Sequence, residues 1–292
     1  MTIRIRSTES HPNPLWDEIT SKYNIAEIQG FIFESTDKEL IYATNEAKRD
    51  LVIHCLEAVE YDHDYELTPQ EIFDQKTWIG KINASRYFRS ELLLLAHKRL
   101  ETTVFRVLAV QAKDGDIQFS ERMSFTDEAS FIGWWRSIKK LTQTKATVEA
   151  RQRQDRTTFD NVLERNGLAW GGNIDGFLLD SRIQDVKAVL EIRQSRNFVV
   201  EMYDPANYFG GTKTKGGDFK TWLPLIYVKK AYGLPIILIT MSTKSPGKMG
   251  FAEIQKMSET RLYYSGNVDP TKNVTGKIED FAEWLQGVAP TL

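Results

Sequence analysis

Residues 234–242, LPIILITMS, run apolar without a polar alternation. A strand with one wet face alternates apolar and polar side chains, and a strand buried on both faces does not. A doubly buried strand lies inside a sheet covered by helices, so this segment commits the chain to a mixed α/β class. The chain has 292 residues, enough for one large domain or two modest ones with a sizeable core. Hydrophobic residues make up 41% and charged residues 27%, a balance that excludes a disordered chain.

No apolar run approaches the roughly 20 residues of a membrane helix. The N-terminal MTIRIRSTES lacks the apolar region of a secretory signal. Cys55 is the single cysteine, which rules out an internal disulfide and a cysteine-based zinc site. The expected setting is the cytoplasm, without a membrane partner.

The net charge of −2 hides local asymmetry. Residues 37–74 carry eleven acidic and three basic side chains; residues 139–165 carry seven basic and four acidic. Residues 205–230 carry five lysines and one aspartate. A phosphate-binding surface needs local positive charge rather than a basic protein overall. The alternative is that these charges sit on separate solvated faces.

No repeat stands out at a fixed period. Helices are expected at 45–60, 84–101, 126–142, 146–166, 219–232, 251–263 and 277–287. Strands are expected at GFIFES and ELIYAT, in a hairpin turning at Asp114-Gly115, at WGGNIDGFLL and AVLEIRQ, and at LPIILITMS, with FVVEMY as a further candidate. A soft boundary near residue 145 divides an N-terminal α+β region, 1–145, from a C-terminal domain, 146–292.

The two strands within 173–194, NIDGFLLDSRIQDVKAVLEIRQ, each contain one carboxylate. A hairpin turning at Asp180–Asp185 sets Asp175 opposite Glu191. Alternation puts Asp175, Phe177, Val189, Glu191 and Arg193 on one face. Opposed Cβ atoms lie roughly 4.5–5.5 Å apart. Carboxylates that close repel, and a divalent cation turns the repulsion into coordination; oxygen ligands favour Mg²⁺ or Mn²⁺ over zinc. The competing reading is a solvated strand end with Arg193 neutralising one acid.

Helix, strand with Asp, turn, strand ending Glu-x-basic, helix and a buried strand is the order found in PD-(D/E)xK nucleases, the restriction-endonuclease-like superfamily, which residues 146–241 resemble. The resemblance implies a central mixed sheet flanked by helices and metal-dependent endonucleolytic hydrolysis of DNA, most naturally double-stranded. Asp175 and Glu191 match the motif acids, and Asp160 or Glu164 on the preceding helix could complete the metal site. Tyr227 is similar to a tyrosine of RecB-like members. Arg193 stands where the family has lysine. Arginine keeps the charge but does not deprotonate, which leaves Lys220 and Lys187 as substitutes and an inactive, nucleic-acid-binding nuclease fold as the alternative.

GGTKTKGGDFK (210–220) is a candidate phosphate-binding loop through Lys213, Lys215 and Lys220, since glycine lets the backbone approach closely. A plain surface loop is the alternative. A dimer would bring two sites to two strands. A further alternative is an interaction protein that docks through the acidic 37–74 stretch. His54, Cys55 and His63 match no zinc spacing, and no serine-hydrolase elbow or dinucleotide fingerprint is present.

Overall fold

The computed structural model describes residues 2–6, 13–35, 51–63, 65–99, 104–139, 157–168, 170, 174–203, 222–257, 262–264 and 274–289. In chain order the elements begin with β1 (Ile3–Ile5), α1 (Pro14–Lys22), β2 (Ile25–Ile28), β3 (Gly30–Phe33), β4 (Ile53–Tyr61), α2 (Gln75–Tyr87) and β5 (Leu92–Lys98). They continue with β6 (Phe105–Lys113), β7 (Asp116–Phe125), α3 (Glu128–Ile138), α4 (Thr158–Arg165), β8 (Ile174–Leu179) and β9 (Val186–Ser195). The last are α5 (Leu223–Tyr232), β10 (Ile236–Ser242), β11 (Met249–Met257), β12 (Leu262–Tyr264), β13 (Val274–Gly276) and α6 (Ile278–Val288). The fold is thus mixed α/β, with two mixed sheets and six α-helices among the described residues. None of these helices is long and apolar enough to cross a membrane.

The chain divides into two units. Among described residues the first takes 2–6, 28–35 and 51–170, and the second takes 13–27 and 174–289. The division therefore falls just before β8 rather than near 145, because α4 packs into the first unit's core through Phe159, Val162 and Leu163.

The first unit's sheet runs β1-β4-β5-β6-β7, with β3 also on β4. Its β4 and β5 are parallel, with α2 between them in the chain, and β3–β4, β5–β6 and β6–β7 are antiparallel. Phe131, Trp135, Phe159 and Trp170 fill one core around α3 and α4. The second unit's sheet runs β12-β11-β10-β9-β8-β2, with β13 on β11. Here β9 and β10 are the parallel pair, separated by α5, while β8–β9 and β10–β11 are antiparallel. Leu178, Leu190, Ile237, Ile239 and Met241 line one face of that sheet, covered by Trp16 and Ile19 of α1 and Phe281 and Leu285 of α6.

Three expected helices are strands or end early. The helix expected at 84–101 stops at Phe88. Arg89 has φ 56°, and Ser90 Oγ then donates to the Ile53 carbonyl and accepts the Cys55 N–H. LLLLAHK follows as β5, buried over Leu92–Ala96. The expected helix at 45–60 is instead the strand β4 from residue 53 on, and the one at 251–263 is β11. Apolar runs buried on both faces carry no period that separates helix from strand. FVVEMY is a 3-10 turn at Val200–Met202, not a strand. The hairpin at Asp114-Gly115, the strand β10, the end of α4 at Asn166-Gly167 and the helix α6 form as expected. ELIYAT and residues 146–156 lie outside the described residues.

Candidate functional site

The hairpin between β8 and β9 is held at its turn by Asp180. Its carboxylate accepts the Gln184 N–H at 2.8 Å, and its N–H donates to the Asp185 carbonyl at 3.0 Å. The Gln184 and Asp185 N–H groups, which donate to it, keep the Asp180 carboxyl below its ordinary pKa. The ladder pairs Gly176 with Leu190, Phe177 with Val189 and Leu178 with Ala188. One step further along this register sets Asp175 opposite Glu191. There the Asp175 side chain takes over the ladder: its Oδ2 accepts the Ile192 N–H at 2.6 Å. Next to the turn the register shifts, so Leu179 pairs with Val186, and Lys187, at this irregularity, pairs with Asp185 at 3.8 Å.

The central strand completes the platform. Glu191 is level with Leu238 and Arg193 with Thr240 on the parallel neighbour β10. Glu191 is buried and Asp175 half-buried. The Arg193 guanidinium pairs with Glu191 at 2.7 Å and lies over the Trp222 ring, 4.9 Å from its centroid, at the start of α5. Among Asp175, Glu191 and Arg193 the acids outnumber the base by one when all are ionised.

Burial pushes the Asp175 carboxyl up to about 6, against the pull of the Ile192 amide and of Arg193; Glu27 on β2 adds to the rise. The folded protein therefore keeps a proton on Asp175 between about pH 4 and 6 that the unfolded chain has released. Stability from this group is present below about pH 4 and is lost as pH rises through 6. The whole effect is on the order of 3 kcal/mol. Asp175→Asn keeps an acceptor for Ile192 and removes the charge. In cation-free buffer the variant is expected to unfold at a higher temperature than wild type at pH 8 and at nearly the same temperature at pH 4. Equal melting temperatures at pH 8 would show that Asp175 is fully compensated without a cation.

Among the described residues no third Asp, Glu, His or Cys joins the pair in a metal-ligand cluster. Asp160 lies in the first unit, where it pairs with Arg6 at 2.9 Å and caps α4 together with Thr157. Glu164 is on the same helix. Tyr227 is fully buried in α5. Lys213, Lys215 and Lys220 lie outside the described residues. His54 bonds Glu34 at 2.6 Å, and Cys55 is buried with its thiol pushed up to about 12, chiefly by that burial.

The acidic stretch at 37–74 is not one solvated surface. Glu57 and Glu60 are buried on β4, Glu57 against the ammonium of Lys81 at 3.0 Å and Glu60 accepting the Thr158 N–H at the start of α4. Glu27 and Trp222 also belong to the site's surroundings, and no local pattern marks either of them in the sequence. No family model, curated protein or solved structure matches the chain.

Proposed function

We propose that the second unit is a restriction-endonuclease-like phosphodiesterase that hydrolyses DNA with Mg²⁺ or Mn²⁺. The observation that carries this reading is the opposition of Asp175 and Glu191 across β8 and β9, next to the parallel β9–α5–β10 crossover. The residues fit a hard cation: two carboxylates on one face, an excess of negative charge, and one acid whose ionised form is under-compensated. Mg²⁺ needs no more than one or two carboxylates, because waters and phosphate oxygens fill the remaining positions. When bound, the cation supplies charge to the phosphate and acidifies a water.

The chain's own groups have separate tasks. Ile192 N–H fixes one oxygen of Asp175, which aims the other away from the ladder. Arg193 holds Glu191 in place and keeps positive charge where charge develops at phosphorus. It does not act as a base. The lysines of 210–220 contact phosphates in this reading, and a dimer of chains brings two sites to a duplex.

One specific observation favours a second reading. The Arg193–Glu191 ion pair supplies a cation from within the chain, which suits a nuclease fold that binds DNA without cutting it. Incubation with supercoiled plasmid in Mg²⁺, in Mn²⁺ and in EDTA separates the two. Cleavage in metal and none in EDTA is expected. In single-turnover reactions with saturating DNA, Arg193→Ala is expected to cut about 100- to 1,000-fold more slowly, as for loss of a major electrostatic donor, and Arg193→Lys to keep substantial activity. DNA binding without cleavage in either metal would establish the second reading instead.

A further inference from the structure

The two units share more than a class. In the first, β3 and β4 are antiparallel, β4 and β5 are parallel across α2, and β5 and β6 are antiparallel. In the second, β8, β9, α5, β10 and β11 repeat those relations in the same order. The registers coincide as well. Gly30 pairs with Leu56 as Gly176 pairs with Leu190. Glu57 is level with Leu94, and Leu94 with Leu108; Glu191 is level with Leu238, and Leu238 with Ala252.

The sequences agree where the registers do. QGFIFES at 29–35 lies against DGFLLDS at 175–181, and LEAV at 56–59 against LEIR at 190–193. Trp78 and Trp222, both buried, stand equally far in sequence before the first residues of β5 and β10. One unusual bond also recurs. Gln29 Oε1 accepts the Ala58 N–H at 2.8 Å, and Asp175 Oδ2 accepts the Ile192 N–H at 2.6 Å, each side chain continuing the ladder one step past the paired glycine. Two unrelated hairpins have no reason to share this detail. The segments joining β3 to β4 and β8 to β9 differ in length, which is why no fixed period shows in the sequence.

We infer that the units are two copies of one duplicated unit and that the first copy is closed: its site carries Gln29, Glu57 and Lys81 where the second carries Asp175, Glu191 and Leu225, so of these two sites only the second takes a cation. Gln29 replaces one acid with a neutral acceptor. Lys81, buried on α2, places its ammonium on Glu57, whose Oε1 also accepts the Gln29 N–H at 3.2 Å. Val59 stands in the place of Arg193. Gln29, Glu57 and Lys81 together carry no net charge, whereas Asp175, Glu191 and Arg193 together carry one negative charge. A live copy beside a closed one cuts one strand for each chain bound. This consequence rests on the hydrolase reading, whereas the single cation site does not.

Titration of the full chain with Mn²⁺, followed by electron paramagnetic resonance, tests the inference without catalysis. Wild type is expected to take up Mn²⁺ at Asp175 and Glu191 only. Asp175→Ala should weaken uptake by about tenfold or more, since one of the two carboxylates that hold the cation is gone. The neutral double variant Glu57→Gln/Lys81→Met should leave uptake unchanged. Loss of bound Mn²⁺ in the double variant, with its fold intact by circular dichroism, overturns the closed copy. A wild type that binds no Mn²⁺ overturns the live one. With the single site established, plasmid should pass fully through the nicked form before linear DNA appears. Mn²⁺ uptake without any cleavage would sink the hydrolase reading and leave the duplication standing.

Discussion

Glu191→Ala and Asp175→Ala are each expected to lower the single-turnover rate of Mg²⁺-dependent DNA cleavage by about three decades or more, on the order of 4 kcal/mol of transition-state stabilisation. Each removes one of two carboxylates from a site that no third Asp, Glu, His or Cys joins among the described residues. The two variants should differ in one respect. Without Glu191, the Arg193 guanidinium loses its 2.7 Å partner and is left beside Trp222, next to where a phosphate binds. Without Asp175, the Ile192 N–H loses its acceptor and the end of the ladder loosens. DNA binding should therefore hold or strengthen in Glu191→Ala, because a repelling carboxylate is gone from beside Arg193, and change little in Asp175→Ala. Rates measured with saturating DNA keep binding separate from chemistry. If either variant cuts within tenfold of wild type, the cation is held elsewhere.

Lys81→Met is expected to destabilise the first unit by about 3–5 kcal/mol, the usual result of breaking a buried ion pair from one side. Glu57 is fully buried in the middle of β4, and Lys81 is its 3.0 Å counter-charge; the ammonium also lies 4.5 Å from the centre of the Phe73 ring. With the lysine gone, Glu57 must take up a proton or draw water into the core. Glu57→Gln combined with Lys81→Met should recover most of the loss, because the buried charge goes with its partner and Gln can still accept the Gln29 N–H. Urea unfolding followed by tryptophan fluorescence reports this unit through Trp78, Trp135 and Trp170. A loss below about 1 kcal/mol for Lys81→Met would mean that the pair does not hold the core.

The candidate site was legible because it is local. A turn closed by Asp180 and alternation along two short strands bring Asp175 and Glu191 to one face, but the turn alone would set Asp175 opposite Leu190; the irregularity between Leu178 and Leu179 moves it opposite Glu191. The order of β8, β9, α5 and β10 could be read for the same reason. Elsewhere the same rules misled. LLLLAHK and LPIILITMS are the same kind of segment at matching places in two copies. The first was joined to the helix before it, because nothing in the sequence marks Arg89 as a stop. The acidic balance of 37–74 likewise counted Glu57 and Glu60 as surface charges. Only a helix distant in sequence shows that Lys81 neutralises one of them and the start of α4 binds the other.

The sequence by itself determined what depends on neighbours along the chain: the capped ends of α3 and α4, the turns at Asp114-Gly115 and Asp180–Asp185, and the strands β8, β9 and β10. Tertiary structure alone decided which charges meet. Arg193 reaches Glu191 and the Trp222 ring, Asp160 is committed to Arg6, and Lys81 meets Glu57. Ion pairing and burial depend on distances through space, and those are set only when sheets and helices pack; a backbone turn or an alternating strand is already specified by the few residues that compose it.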